Sequence, residues 1–178
     1  MEFKCIETVK QPMERVWAVT RDHLPEIAEL QDDIEYVKVT KRERDKKKPH
    51  LTHVISTWRA DPPLPALLKG LIKPDMLIWT DEAAWDDNTN TCEFNIITNY
   101  KVEDIRCVGS IQFESVSAGK QTKITYSGEL TIRKTSKSSI LMTGFIIRAI
   151  ESLAGTIIEH NFAKTVKNIA DAAKAKKK

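Results

Sequence analysis

The side chains of this sequence that could do chemistry are few and scattered. Its four histidines, His23, His50, His53 and His160, are dispersed, and Glu159 and His160 are adjacent. Neighbours in a helix point to different faces, a poor geometry for sharing a metal ion. The three cysteines, Cys5, Cys92 and Cys107, are odd in number and have no C-x-x-C spacing. They read as buried or half-buried free thiols of a reducing compartment. The motifs G-x-S-x-G and H-E-x-x-H and a glycine-rich phosphate loop are missing from the chain, so the common hydrolase, zinc-protease and nucleotide signatures do not apply. Neither a metal nor a cofactor is expected.

His53 and Arg106 sit in strand-like runs and are the polar residues that could enter a cavity. On each run two parities compete for the inward face. With Val54 and Trp58 inward, His53 faces solvent. Cys107, Ile111 and Phe113 form the greasier set beside Arg106, so outward is the favoured reading for both. A general acid or base must stand beside its substrate, and no residue is nominated for a catalytic role.

Charge and hydropathy narrow the class further. Lys and Arg total 28 against 25 Asp and Glu, a net +3, and much of the surplus lies in Lys174, Lys176, Lys177 and Lys178. That is a solvated basic tail (174–178), not the charged face a nucleic-acid binder presents. The N-terminus is charged at once and has no apolar signal core. The longest uncharged stretch, Ser138 to Ile147, is about half a bilayer span. A soluble, cytoplasmic protein is expected, with one domain over 1–178, since a single core organises about 100 to 200 residues.

The elements that must position any site follow from periodicity. Glu2 to Val9 alternates weakly and reads as a strand. Gln11-Pro12-Met13-Glu14 opens a helix, with Pro12 at its first position and Glu14 placed to reach back as a capping carboxylate. Met13, Val16, Trp17 and Thr20 share its inner face, and a second short helix restarts at Pro25 with Leu24, Ile27 and Leu30 inward. Six further strands are expected at Ile34–Glu43, Leu51–Ala60, Met76–Trp85, Thr91–Asn99, Ile105–Val116 and Thr122–Arg133. Turn clusters at 87–90 and 117–120 imply an antiparallel meander. Between the second and third of these runs, prolines bound a segment, Leu64 to Lys73, in which Leu64, Leu67, Leu68, Leu71 and Ile72 keep helical spacing. It either plugs the open end of the fold or acts as a lid that docks on a membrane, with Lys69 and Lys73 flanking the stripe as an anionic surface would favour. Ser139 to Ala175 is one long helical pattern, apolar at Ile146, Ile150, Leu153, Ile157, Ile158, Phe162, Val166, Ile169 and Ala173.

The expected class is therefore α+β: a seven-stranded curved antiparallel sheet wrapped around a long C-terminal helix, with two short helices after the first strand. One helix cannot fill the concavity of such a sheet, so a pocket is expected between them. Its expected lining is Trp58, Trp79, Trp85, Phe94, Ile96, Tyr126 and Leu130 from the sheet. The helix would add Ile150, Leu153 and Ile157, and the lid Leu67, Leu68 and Leu71. Tyr126 is the candidate for one orienting hydrogen bond, and Gly128 marks a bend or close approach.

This element order, together with Gln11-Pro12-Met13-Glu14-Arg15-Val16-Trp17 and Asp22-His23-Leu24-Pro25, resembles the START-like (SRPBCC) superfamily. Its helix-grip fold is that of birch-pollen-type allergens, lipid-transfer domains and polyketide cyclases. A local likeness to the PRELI lipid-transfer family is carried by Leu51-Thr52-His53, Trp58, Pro65 to Gly70, Glu82 and Glu151-Ser152-Leu153. The resemblance implies binding, and transfer or sensing, of a lipid-like hydrophobic molecule in an internal cavity. The alternative it implies is a polyketide cyclase/dehydratase-like enzyme in the same cavity, which a buried ionisable pair there would favour.

Overall fold

Alternating apolar side chains dictate most of the architecture, because a strand places every second residue on the same face. The computed structural model describes residues 1–28, 30–63, 74–98, 105–132 and 144–175. The elements are β1 (Glu2–Val9), α1 (Met13–Asp22), α2 (Leu24–Ala28), β2 (Ile34–Arg44), β3 (Leu51–Ala60), a 3-10 turn at Pro74–Leu77, β4 (Ile78–Asp86), β5 (Thr91–Thr98), β6 (Ile105–Val116), β7 (Gln121–Ile132) and α3 (Gly144–Ala175). The Leu64–Lys73 stripe with Leu67, Leu68 and Leu71 lies outside the described residues. So do residues 139–143 and the side chains of Ile150, Leu153 and Ile157.

All seven strands form one antiparallel sheet in the order β1-β7-β6-β5-β4-β3-β2. The first strand pairs with the last, Phe3 opposite Gly128 and Val9 opposite Thr122. Helix α3 has 32 residues and is about 48 Å long. It packs against α1, α2, β1 and β7, and so bridges the concavity instead of lying flat on its middle strands.

Three local expectations change. Pro12 occupies the N-cap, not the first helical position, and no side-chain cap forms. A capping-box carboxylate would reach the N-cap N–H, which proline lacks; the Pro12 carbonyl instead accepts from Arg15 and Val16 at 3.2 Å each. Leu30 is 59% exposed: α2 ends at Ala28, so helical spacing no longer carries Leu30 inward after Ile27. Strand β4 begins at Ile78 because Pro74–Leu77 form the 3-10 turn.

The interior is packed at two ends. In the larger cluster α1, the C-terminal half of α3 and the sheet bury Val16, Trp17, Trp85, Phe113, Ile124 and Ile169. Edge-to-face contacts of Trp17 with Trp85 and Phe113, both at 5.2 Å, fix it. Trp17 Nε1 donates to Asp87 Oδ1 at 2.9 Å, and Arg21 bonds the same carboxylate at 2.6 Å, which ties α1 to the β4–β5 turn. The smaller cluster joins Phe94, Cys107 and Leu130 to Phe3, Ile132 and Ala154. Beside this smaller cluster Gly109 faces Gly128 across β6 and β7. A Cβ on Gly109 would lie 2.7 Å from the Phe94 ring tip, and one on Gly128 would lie 2.8 Å from that of Phe3. The glycine pair is thus the close approach that leaves room for the Phe94 and Phe3 rings.

Candidate functional site

Between the two packed ends lies a cavity of about 240 Å³. Its floor is the period-2 face of the middle strands: Trp58 on β3, Trp79, Asp81, Ala83 and Trp85 on β4, Phe94 and Ile96 on β5, and Ile111 on β6. Its roof is one stripe of α3, comprising Ile158, Asn161, Phe162, Thr165 and Ile169. Thr20, Leu24, Gln31 and Ile34 close one end.

Aromatic contacts give the cavity its walls. Trp58 and Trp79 stack at 5.9 Å with planes 11° apart, and Trp58 Nε1 donates to Ser56 Oγ at 3.0 Å. Tyr126 stacks on Phe162 at 5.6 Å and tilts against Phe94 and Phe3, each at 5.1 Å, which clamps α3 to the sheet. Burial pushes the Tyr126 phenol far above its ordinary range. Roof and end wall are joined by Gln31 Nε2 donating to Thr165 Oγ1 at 2.9 Å, while Thr165 Oγ1 donates to the Asn161 carbonyl at 2.7 Å.

Of the sheet residues read from sequence, Trp58, Trp79, Trp85, Phe94, Ile96 and Tyr126 line this space. Trp85 is 3% exposed and is as much core as wall. Leu130 is not among the lining residues; it packs with Phe94 and Cys107 in the smaller cluster. His53 lies on the outer face, 3.8 Å from Asp45, and Arg106 is exposed and bonds Asn95 Oδ1. Neither reaches the cavity.

What sequence reasoning missed is the carboxyl. Asp81 sits between Trp79 and Ala83 on the inward face of β4, with Ser56 and Ile96 as its cross-strand neighbours. Its Oδ1 is buried with no hydrogen-bond partner. Desolvation, with a smaller push from the Glu82 charge, raises its pKa from 3.8 to about 7. The same burial raises the Cys107 thiol to about 11 and the Cys92 thiol well above its ordinary range. A signal was available: the alternation that turns Trp79 and Trp85 inward also turns Asp81 inward. Among the described residues no group of three His, Cys, Asp or Glu is placed to hold a metal, and no helix is long and apolar enough to cross a membrane.

No protein-family model matches the sequence, and no curated protein matches it. Solved structures do. An aromatase/cyclase (Zhui) from Streptomyces sp. R1128 is similar with a TM-score of 0.70 at 13% identity, over 98% of this chain and 93% of its own. Norcoclaurine synthase from Thalictrum flavum, solved with dopamine and hydroxybenzaldehyde, is similar with a TM-score of 0.66 at 12% identity, over 100% of this chain and 88% of its own. A Thermus thermophilus protein gives a TM-score of 0.69 at 18% identity over 100% of both chains. The chain has the helix-grip fold. At these identities the likeness concerns the fold alone.

Proposed function

We propose that this helix-grip chain is a START-like (SRPBCC) protein, one unit over 1–178, that binds a hydrophobic small molecule between its sheet and α3. The observation that carries this reading is an aromatic-walled space of about 240 Å³ left open between two tightly packed clusters. Drug-sized pockets run from about 300 to 1,000 Å³, so the cavity suits one compact molecule better than a two-chain lipid. Removing apolar ligand surface from water is worth about 25 cal/mol per Å², and stacking on Trp58, Trp79 or Phe162 adds to it. Carriage or sensing of the molecule, without bond-making, is the first form of this reading.

Titration calorimetry with methylnaphthalene tests it. Saturable binding by the wild type, abolished when Ile96→Trp fills the space in a folded protein, supports the proposal; no binding at any accessible concentration removes it.

Asp81 favours a second reading, a cyclase- or dehydratase-like enzyme in the same cavity. A carboxyl whose pKa burial raises to about 7 is matched to general acid–base work at neutral pH. Turnover of a polyketide-like substrate that Asp81→Asn abolishes while binding persists would establish it.

A further inference from the structure

Two acceptors in the cavity stand without donors. Asp81 Oδ1 and Asn161 Oδ1 are both buried, and neither has a hydrogen-bond partner. They face one cavity from opposite layers, Asp81 from β4 in the floor and Asn161 from α3 in the roof. Folded proteins leave few such atoms unpaired, because an unpaired buried acceptor forfeits its bond to water and gains nothing in exchange.

Several polar hydrogens nearby are already committed. Gln31 Nε2 donates to Thr165 Oγ1, Thr165 Oγ1 to the Asn161 carbonyl, Thr20 Oγ1 to the Val16 carbonyl and Trp58 Nε1 to Ser56 Oγ. The charge that acts on Asp81 is that of Glu82, of the same sign, and no described cation lines the cavity. What these two oxygens lack is a donor.

We propose that the ligand of this cavity is apolar over most of its surface and carries one hydrogen-bond donor, a hydroxyl or a primary amine, received by Asp81 and Asn161. This rests on the reading of the cavity as a ligand site and names the polar chemistry of that ligand. Both residues line the same space of about 240 Å³, one from each layer. A protonated Asp81 can still accept at one oxygen from a hydroxyl. An amine would instead draw the proton off the carboxyl and bind as its counter-ion among aromatic faces, which favour cations.

The test is calorimetry on the full chain with four two-ring probes of matched shape: methylnaphthalene, naphthylmethanol, naphthylmethylamine and naphthoate. The alcohol or the amine is expected to bind about tenfold or more tighter than methylnaphthalene, about what one buried hydrogen bond supplies, with the acceptor-only naphthoate weakest. The donor preference should collapse in Asp81→Leu and shrink in Asn161→Leu, while methylnaphthalene binding persists. A tighter amine identifies the donor as an ammonium, a tighter alcohol as a hydroxyl. If Asp81→Leu does not fold, the near-isosteric Asp81→Asn reads the amine arm, whose advantage should fall with the lost charge. Equal affinities for methylnaphthalene, alcohol and amine, or a donor preference that survives in the Asp81 variant, overturn the anchor and leave the apolar site standing. Failure of all four probes overturns the site and the anchor together.

Discussion

Replacing Asp81 by asparagine should stabilise the protein at alkaline pH and do much less in acid. In the folded chain the carboxyl keeps its proton to about pH 7, whereas an unperturbed aspartate releases it at 3.8. Between those values the native state binds more protons than the unfolded state, so wild-type stability falls as pH rises and levels off above about 7. At about 1.4 kcal/mol per tenfold change in proton affinity, the interval from 3.8 to about 7 corresponds to a penalty of about 4 kcal/mol. Asp81→Asn keeps the shape and abolishes the titration. Its stability minus that of the wild type should therefore climb by about 3 kcal/mol between about pH 4.5 and about pH 8. Other groups titrate in this window, but they are common to both proteins and cancel in the difference. Urea denaturation at several pH values, fitted with a common m-value, measures it. A difference that is flat with pH would refute the reasoning, because it would mean that Asp81 meets solvent as an ordinary carboxylate.

Three further outcomes follow from the packing. Phe113→Ala, which empties a fully buried site against Trp17 and Trp85, should cost about 3–5 kcal/mol in urea denaturation, while Ile6→Ala at a 54% exposed position should cost under about 0.5 kcal/mol. Native-state alkylation at mildly alkaline pH, read by peptide mass spectrometry, should label half-buried Cys5 first and leave Cys92 and Cys107 protected, since burial holds both thiols protonated. Gly109→Val should lower the melting temperature sharply, because its side chain must displace the Phe94 ring and the Gly128 backbone; an unchanged melt would show that the sheet flattens there at no cost.

The strands were legible because alternation is a direct imprint of one buried face: β1, β3 and β6 span the residues that their patterns delimit. The aromatic floor was legible for the same reason. Three things were harder to see. Leu30 kept helical spacing from Ile27 although α2 stops at Ala28, and spacing carries no direction once the helix has ended. Leu130 shares the inward parity of Tyr126, but position along the strand, not parity, decides whether an inward residue meets the cavity or a packed cluster. Asp81 and Asn161 are harder to read from sequence because polar residues usually mark the solvent side. A residue that breaks an apolar alternation from within is the pattern a buried polar site leaves, and Asp81 between Trp79 and Ala83 follows it.

The central claim is an open interior that takes a compact apolar molecule. Crystals of the full chain soaked with bromonaphthalene test it through the anomalous signal of the bromine. A peak between the β4–β5 floor at Trp79 and Phe94 and the α3 roof at Phe162 is the predicted result. Well-ordered side chains filling that space, with no bromine peak in it, would contradict the account.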